Sequence, residues 1–200
     1  MLQNYLSIYA KSFNWAGFFL PKSNYNNCST LYDFCRTVDN IADEEEKLDI
    51  KKKNLNDFKK KFYEKDISST IIKNMWQLIN EFSISTRIID DLFDGIEADL
   101  EEKVLLSNKQ DLLIYSYRVA GTVGLMMAKI LRVKSDLALA SAIDLGVAMQ
   151  LTNIARDVIE DEKRNRKYID NDFNKIKETI KLADTFYNSS FRSIGEIPIS

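Results

Sequence analysis

Hydrophobic residues recur with helical periodicity along most of the chain. Between residues 31 and 46 they fall on one side of a 3.6-residue repeat, at Leu31, Phe34, Val38, Ile41 and Ala42. A later segment repeats the pattern at Val147, Leu151, Ala155 and Val158. Helices are also expected over residues 2–20, 44–65, 66–82, 85–102, 111–131 and 171–193. Because the chain has few helix breakers, with six Gly and two Pro, the pattern predicts an all-α, single-domain helical bundle over residues 1–200.

A polar stripe lies beside the apolar side of the helix predicted at residues 31–46. Its members recur at i, i+4, i+7 and i+11, and they are Tyr32, Arg36, Asp39 and Asp43. Two carboxylates one turn apart can flank a hard cation such as Mg²⁺, which prefers oxygen ligands and completes its shell with water and substrate phosphate. A single pair of this kind is more often part of a solvated helix face.

A second acidic stripe changes this interpretation. It recurs at i, i+3, i+7 and i+11, and its members are Gln150, Asn153, Asp157 and Asp161. Two stripes predict two helices that face each other across a cavity for metal and phosphate, because sites in helical bundles are built from the side chains of facing helices. The predicted ligands of Mg²⁺, with Mn²⁺ as the alternative ion, are Asp39, Asp43, Asn153, Asp157 and Asp161.

The amino-acid composition limits the kinds of metal site, reaction and partner that the chain can have. The chain has no histidine, which excludes histidine-ligated metals and serine–histidine hydrolysis, so oxygen must hold any metal. The net charge of −2 gives no basic footprint for nucleic acid. Cys28 and Cys35 are too few for a zinc site and wrongly spaced for a redox pair, which favours a reducing cytoplasm. No uninterrupted apolar run reaches membrane-spanning length, and no signal peptide is recognisable.

Four sequence blocks resemble, in the same order, the signature blocks of the squalene and phytoene synthase family. They are AKSFNWAGFFLP at residues 10–21, LYDFCRTVDNIAD at 31–43, YSYRVAGTVGLMM at 115–127 and LGVAMQLTNIARDVIED at 145–161. The third block is more similar to the bacterial and plant phytoene synthases than to the squalene synthases. The resemblance implies an isoprenoid synthase fold that lacks the last C-terminal helices, and we expect an exposed apolar face where they would pack.

The resemblance also assigns roles outside the acidic stripes. Lys11 and Ser12 are expected to contact the diphosphate of the substrate, and Phe13 to line its hydrocarbon pocket. Arg166 and Tyr168 match the end of the family's last block, which helps to hold diphosphate.

Other stripe residues and departures from the family bear on the same site. Further substrate contacts are expected from Tyr32, Arg36, Gln150 and Arg156, although Arg156 points away from the acidic line on a helical wheel. Asn40 stands where the family commonly has a second aspartate, and Ile169 and Asp170 stand where Leu-Pro is usual.

Small residues line one face of the helix predicted at residues 111–131. Tyr117, Gly121, Gly124 and Ala128 recur along it, and from spacing alone close helix–helix packing is favoured. The resemblance favours instead the wall of a tunnel for a prenyl chain, with Gly121 against substrate and Tyr115 and a catalytic Tyr117 near the reacting carbons.

Four aspartates in residues 85–102 do not form a line. They are Asp90, Asp91, Asp94 and Asp99. Because they spread around the predicted helix, we expect them to be surface residues.

The resemblance implies a Mg²⁺-dependent prenyltransferase that condenses two geranylgeranyl diphosphate molecules head to head, through a cyclopropyl diphosphate, to phytoene in carotenoid biosynthesis. A squalene or dehydrosqualene synthase that uses farnesyl diphosphate is the alternative, with NADPH for squalene. A non-catalytic assembly factor is the alternative of another class. The implied partners are prenyl diphosphates and downstream carotenoid enzymes, and the expected location is the cytoplasm, with peripheral contact at the inner face of a membrane.

Overall fold

A computed structural model of the protein describes residues 20–44, 46–106, 108–193 and 195. Lys11, Ser12 and Phe13 lie outside these residues. The helices are α1 Lys22–Asp43, α2 Leu48–Tyr63, α3 Thr70–Glu81, α4 Thr86–Ala98, α5 Lys109–Ser116, α6 Thr122–Ile130, α7 Asp136–Lys163 and α8 Phe173–Phe191. A π-helical segment, Tyr117–Gly121, joins α5 to α6, and two short strands are β1 Val104–Leu105 and β2 Arg166–Lys167. The predicted all-α class is confirmed.

Side-chain caps explain where several of these helices begin. A side-chain oxygen accepts a backbone N–H of the first turn at Ser69, Ser85, Asn108, Ser135 and Asp172. Each cap satisfies an amide that has no partner within its helix. Such caps therefore fix the starts of α3, α4, α5, α7 and α8.

An aromatic core holds α1 against α2 and α4. Phe34, Phe62 and Phe93 are fully buried, and the ring centroid of Phe62 lies 5.5 Å from those of both other rings. Burying a side chain of this size contributes about 2–3 kcal/mol. Because Phe34 belongs to the apolar side of α1, its burial orients the acidic stripe on the neighbouring side of the same helix.

The long helix α7 is the centre of the second half of the molecule. It contacts α5, α6, α8 and the π-helical segment, and it buries Val147, Leu151 and Ile154 beside Tyr115 and Tyr168. By length and composition alone α7 could cross a membrane. Its contacts are those expected of the core helix of a helical bundle.

Glycines let α7 approach both α6 and the π-helical segment closely. A Cβ atom at Gly124 would overlap the carbonyl oxygen of Ala142 on α7. A Cβ atom at Gly146 would overlap the carbonyl oxygen of Ala120 and lie 2.9 Å from the Cα atom of Gly121. The packing interpretation of the small-residue face is therefore correct, and the tunnel-wall prediction is wrong at Gly124.

A short parallel ladder connects the segments that follow α4 and α7. Val104 pairs with Arg166 and Leu105 with Lys167. The amide of Val104 donates to the carbonyl of Asn165 at 3.1 Å, and Asn165 makes the turn into β2 with a φ of 58°. Asparagine adopts this left-handed conformation more readily than most residues. The ladder sets the position of β2 beside the end of α4.

Several large apolar side chains of the described residues remain exposed. On α8 they are Phe173, Ile180 and Phe191. A groove of about 540 Å³ runs beside α8, and Leu105, Leu106, Ile169 and Leu182 contribute to its walls. The expectation that a further segment covers such a face stays a prediction.

Candidate active site

The acidic stripe of α1 points towards the segment that follows α7. Arg36 donates to the Oδ2 atom of Asp39 at 2.7 Å. The Nη1 atom of Arg166 lies 3.0 Å from the Oδ1 atom of Asp43, and Arg164 reaches the same oxygen at 3.8 Å. The guanidinium of Arg166 also donates to the carbonyl of Ala42 at 3.3 Å. These bonds tie the end of α1 to β2 and bring Arg166 to the first stripe.

The same neighbouring charges affect the pKa values of carboxyls in both stripes. Burial, and then the neighbouring Asp43, raise the pKa of Asp39 to about 6. Burial, and then the neighbouring Asp157, raise the pKa of Asp161 to about 6 as well. Both carboxyls also feel a repulsion from Asp99 and an attraction to Arg166. Carboxyls of α1 and α7 therefore lie within electrostatic reach of Asp99 and Arg166, and we call this set of residues the acidic centre: Asp39, Asp43, Asp99, Asp157, Asp161 and Arg166.

Asp99, the residue that follows α4, belongs to this centre, although we expected it at the surface. The hydroxyl of Tyr168 donates to its Oδ1 atom at 2.6 Å, and the hydroxyl of Tyr115 donates to its Oδ2 atom at 2.8 Å. Burial raises the pKa of Asp99, and the charge of Arg166 opposes this rise. No spacing rule separates Asp99 from the other aspartates of its segment, because its tyrosine partners are 16 and 69 residues away.

The prediction that the aspartates of residues 85–102 lie at the surface is partly correct for the other three of them. Asp90 and Asp94 are exposed, and they bond to Tyr63 and Arg118 respectively. Asp91 is half-buried and accepts the hydroxyl of Tyr117 at 2.8 Å.

The structure separates the two tyrosines that we expected near the reacting carbons. Tyr115 is buried and bonded to Asp99. Tyr117 bonds to Asp91, which lies two turns and about 12 Å before Asp99 along α4 at 1.5 Å per residue. The two hydroxyls therefore bond to different aspartates, and the role of Tyr117 near the reacting carbons stays a prediction.

Gly121 does not line an open tunnel. It is buried, and a Cβ atom there would lie 3.1 Å from side-chain atoms of Ile143 and Tyr117 and 3.4 Å from Val147. Side chains of α7 and of Tyr117 pack against this face, and the contact of Gly121 with substrate stays a prediction.

The remaining predicted residues occupy the edge of the acidic centre. Arg156 is exposed and donates to both carboxylate oxygens of Asp157 at 2.6 Å. These hydrogen bonds lower the pKa of Asp157. Half-buried positions on the same two helices are held by Tyr32, Gln150 and Asn153.

The donor set fits a cation that bridges a phosphate group. Among the described residues no group of three or more Asp, Glu, Cys or His side chains is close enough to hold a metal by itself. Mg²⁺ usually takes only one or two carboxylates and completes its shell with water and phosphate oxygens. Burial first, and then repulsion from Asp43 and Asp157 respectively, raise the pKa values of Asp39 and Asp161, and a bound cation would relieve this repulsion. The oxygen donors of the acidic centre therefore fit a divalent cation that also takes ligands from outside the protein.

Carboxylate stripes on facing helices of an all-α bundle define the class of protein as the isoprenoid synthase fold. A crystal structure of a dehydrosqualene synthase in complex with a ligand has this fold and matches the chain with a TM-score of 0.78 and 25% identity. The match covers 98% of this chain and 76% of that one. Within this class, the family model of squalene/phytoene synthase matches residues 6–194, and the chain belongs to that family.

Curated relatives agree with this assignment. The chain is 32% identical to the phytoene synthase of Rhodobacter capsulatus over 92% of its own length and 56% of the relative. It is 33% identical to the 4,4'-diapophytoene synthase of Staphylococcus haemolyticus over 88% of its own length and 63% of that relative. The chain thus spans less than two thirds of the length of both relatives.

Proposed function

We propose that this protein is a prenyltransferase that condenses two geranylgeranyl diphosphate molecules head to head to give phytoene. The observation that carries the proposal is the acidic centre, in which Asp39 and Asp161 come from different helices and share the influence of Asp99 and Arg166. The likeness to named phytoene synthases supports the choice of reaction.

Apart from Asp99, the residues of the acidic centre would hold the diphosphate, directly or through a metal ion, rather than attack it. Asp39 and Asp43 on α1, with Asn153, Asp157 and Asp161 on α7, would hold Mg²⁺. When bound there, Mg²⁺ neutralises the diphosphate and so makes it a better leaving group. Arg166 pairs with Asp43 at 3.0 Å and is mostly buried, so it can exchange this partner for a phosphate oxygen and donate charge-assisted hydrogen bonds.

In the proposed reaction, which the family resemblance implies, bonds break and form in the following order. The allylic C–O bond breaks, and its electron pair leaves with the diphosphate. The double bond of the second prenyl diphosphate then attacks the cation, and loss of a proton closes the cyclopropyl diphosphate. A second ionisation, rearrangement and proton loss give phytoene. No protein nucleophile is needed, because the charge of the leaving group is stabilised electrostatically.

Farnesyl diphosphate is the second candidate substrate. The likeness to a 4,4'-diapophytoene synthase and to a dehydrosqualene synthase favours it. The acidic centre would be used in the same way, since the two substrates carry the same diphosphate and differ only in the length of the hydrocarbon chain.

A product assay with the purified chain tests the proposal. Geranylgeranyl diphosphate and farnesyl diphosphate are each supplied with Mg²⁺, with and without NADPH. The products are separated by chromatography and identified by mass spectrometry. Phytoene from the first substrate supports the proposal, and a C30 hydrocarbon from the second supports the alternative. Failure to release diphosphate or to bind either substrate would favour a non-catalytic assembly role.

A further inference from the structure

Asp99 is the hydrogen-bond acceptor for two tyrosines from distant parts of the chain. Tyr115 comes from α5 and Tyr168 follows β2, and each hydroxyl donates to a different carboxylate oxygen. The two hydroxyls are also 3.0 Å from each other. Their rings stack with centroids 4.7 Å apart and an angle of 22° between the planes. One carboxylate thus fixes both rings in a single arrangement.

Tyr168 is coupled to Arg166 through the backbone. Both belong to the segment that starts with β2, and β2 is held beside β1 by the pairs Val104–Arg166 and Leu105–Lys167. Leu106 also donates its amide to the carbonyl of Lys167 at 3.2 Å. Because Tyr168 directly follows this two-residue strand, fixing its hydroxyl helps to fix the position of the strand.

Arg166 is the cation that this strand presents to the acidic centre. Its side chain is 13% exposed and reaches Asp43 at 3.0 Å. Burial lowers the pKa of Arg166, but the negative charges of Asp99 and Asp43, with the neighbouring Tyr168, outweigh this and raise it overall. Asp99 thus supplies a counter-charge to Arg166 in addition to Asp43, and a buried guanidinium without this counter-charge would carry a large desolvation cost.

We propose that Asp99 is a positioning residue that, through Tyr168 and the charge of Arg166, holds the Arg166 guanidinium at the acidic centre. This inference rests on the proposed function, in which Arg166 binds the substrate diphosphate. Asp99 itself is expected to touch neither substrate nor metal.

Two matched variants on the same helix region test this role. Asp99→Asn keeps the shape of the side chain but removes its charge and half of its acceptor capacity. Asp90→Asn is the control, because Asp90 also accepts a tyrosine hydroxyl, from Tyr63, but is exposed and outside the acidic centre. We expect kcat/KM for the prenyl diphosphate to fall by about 10²-fold in Asp99→Asn, a size typical of a misplaced binding group, and to stay unchanged in Asp90→Asn. Equal kcat/KM values in the two variants would overturn the proposal.

A double-mutant cycle separates positioning from a general loss of structure. Tyr168→Phe removes the hydroxyl that links Asp99 to β2. If Asp99 acts through this link, Asp99→Asn should cost much less in the Tyr168→Phe background than in the native chain. Fully additive losses would contradict the proposed route, and Tyr168→Phe alone remains informative should Asp99→Asn fail to fold.

A readout without substrate distinguishes this inference from the proposed function. The Nε–Hε signal of Arg166, assigned by its loss in Arg166→Lys, is followed by NMR in the native chain and in both aspartate variants. We expect the signal to shift and its hydrogen exchange to accelerate about tenfold in Asp99→Asn only, as expected when an anchored side chain is released. An unchanged signal would overturn the positioning role even in an active enzyme. A changed signal in a chain that turns over no prenyl diphosphate would leave the positioning role standing and remove the proposed function.

Discussion

At the residue scale, the acidic centre contains carboxylates that repel one another when they are charged. Asp161 is half-buried beside Asp157, and burial is the main reason that its pKa rises to about 6. A carboxyl with a raised pKa binds its proton more tightly in the folded chain than in the unfolded chain. Its ionisation therefore destabilises the fold, which is common for residues kept for binding or catalysis.

Asp161→Asn should make the chain more stable at neutral pH. Between pH 4 and 6 the folded native chain retains a proton that the unfolded chain loses, so its stability falls as pH rises through this window. The variant lacks this fall and should gain about 1 kcal/mol at pH 7, since solvent screens a half-buried carboxyl. Urea denaturation at pH 4, 5, 6 and 7 measures the difference. A variant less stable than the native chain at pH 7 would contradict the account of the acidic centre.

Asp157→Ala should separate activity from folding. Asp157 pairs with Arg156, whose side chain is 66% exposed, and exposed ion pairs of this kind contribute at most about 1 kcal/mol. We expect helical content by circular dichroism to be unchanged, while prenyl diphosphate turnover falls by about 10³-fold or more because a charge-stabilising group is lost. Glu160→Ala, at an exposed position of α7 outside the acidic stripe, is the matched control and should retain most activity. Native turnover in Asp157→Ala would remove this residue from the mechanism.

The spacing of residues predicted the two stripes but not the full centre. Tyr32 to Asp43 and Gln150 to Asp161 each lie on one helix, so a helical repeat is enough to align them. The pairing of Asp43 with Arg166 joins residues 123 positions apart, and the bond between Asp99 and Tyr168 spans 69. Local periodicity carries no information about such distances, so Asp99 was assigned to the surface.

At the element scale, the bundle depends on the close approach of α6 and α7. Gly124 and Gly146 each face a backbone carbonyl of the opposite element. Helices that approach this closely need residues without side chains at the contact, because packed interiors do not yield to an added carbon. The small-residue face is therefore an element of packing, which the spacing alone had indicated.

Gly124→Ala should destabilise the fold more than Gly121→Ala. A Cβ atom at position 124 overlaps the backbone of Ala142, whereas one at position 121 meets side-chain atoms at 3.1 Å or more. We expect a loss of about 2–3 kcal/mol for the first variant and about 1 kcal/mol or less for the second, since side chains can move aside. Thermal unfolding of both proteins gives the comparison. Equal melting temperatures would show that α6 and α7 are not in backbone contact.

The helices themselves were largely predictable, and their interruptions were not. The patterns at residues 66–82 and 171–193 correspond to α3 Thr70–Glu81 and α8 Phe173–Phe191. The single helix expected over residues 111–131 contains the π-helical segment Tyr117–Gly121. Neither feature can be recognised from the periodicity of hydrophobic residues. The π-helical segment only inserts a residue into a helix, and each strand of the β1–β2 ladder is only two residues long.

At the scale of the whole molecule, the fold brings two halves of the chain to one site. The aromatic core around Phe34 and Phe62 orients α1, and the second core around Leu151 and Tyr168 orients α7. The ladder between β1 and β2 then positions Arg166 at the acidic centre. Each part is ordinary in helical proteins, and it is their convergence that gives the site its concentrated negative charge.

The central claim is that carboxylates from α1 and α7 bind one metal–diphosphate cluster. A crystal structure of the protein with Mn²⁺ and a non-hydrolysable prenyl diphosphate tests it most directly, since anomalous scattering locates the metal. The account predicts Mn²⁺ at about 2.1 Å, the distance typical of a small divalent cation, from oxygens of Asp39 or Asp43 and from oxygens of Asp157 or Asp161, with diphosphate between them. Mn²⁺ bound to one helix only, or diphosphate bound away from both, would contradict it.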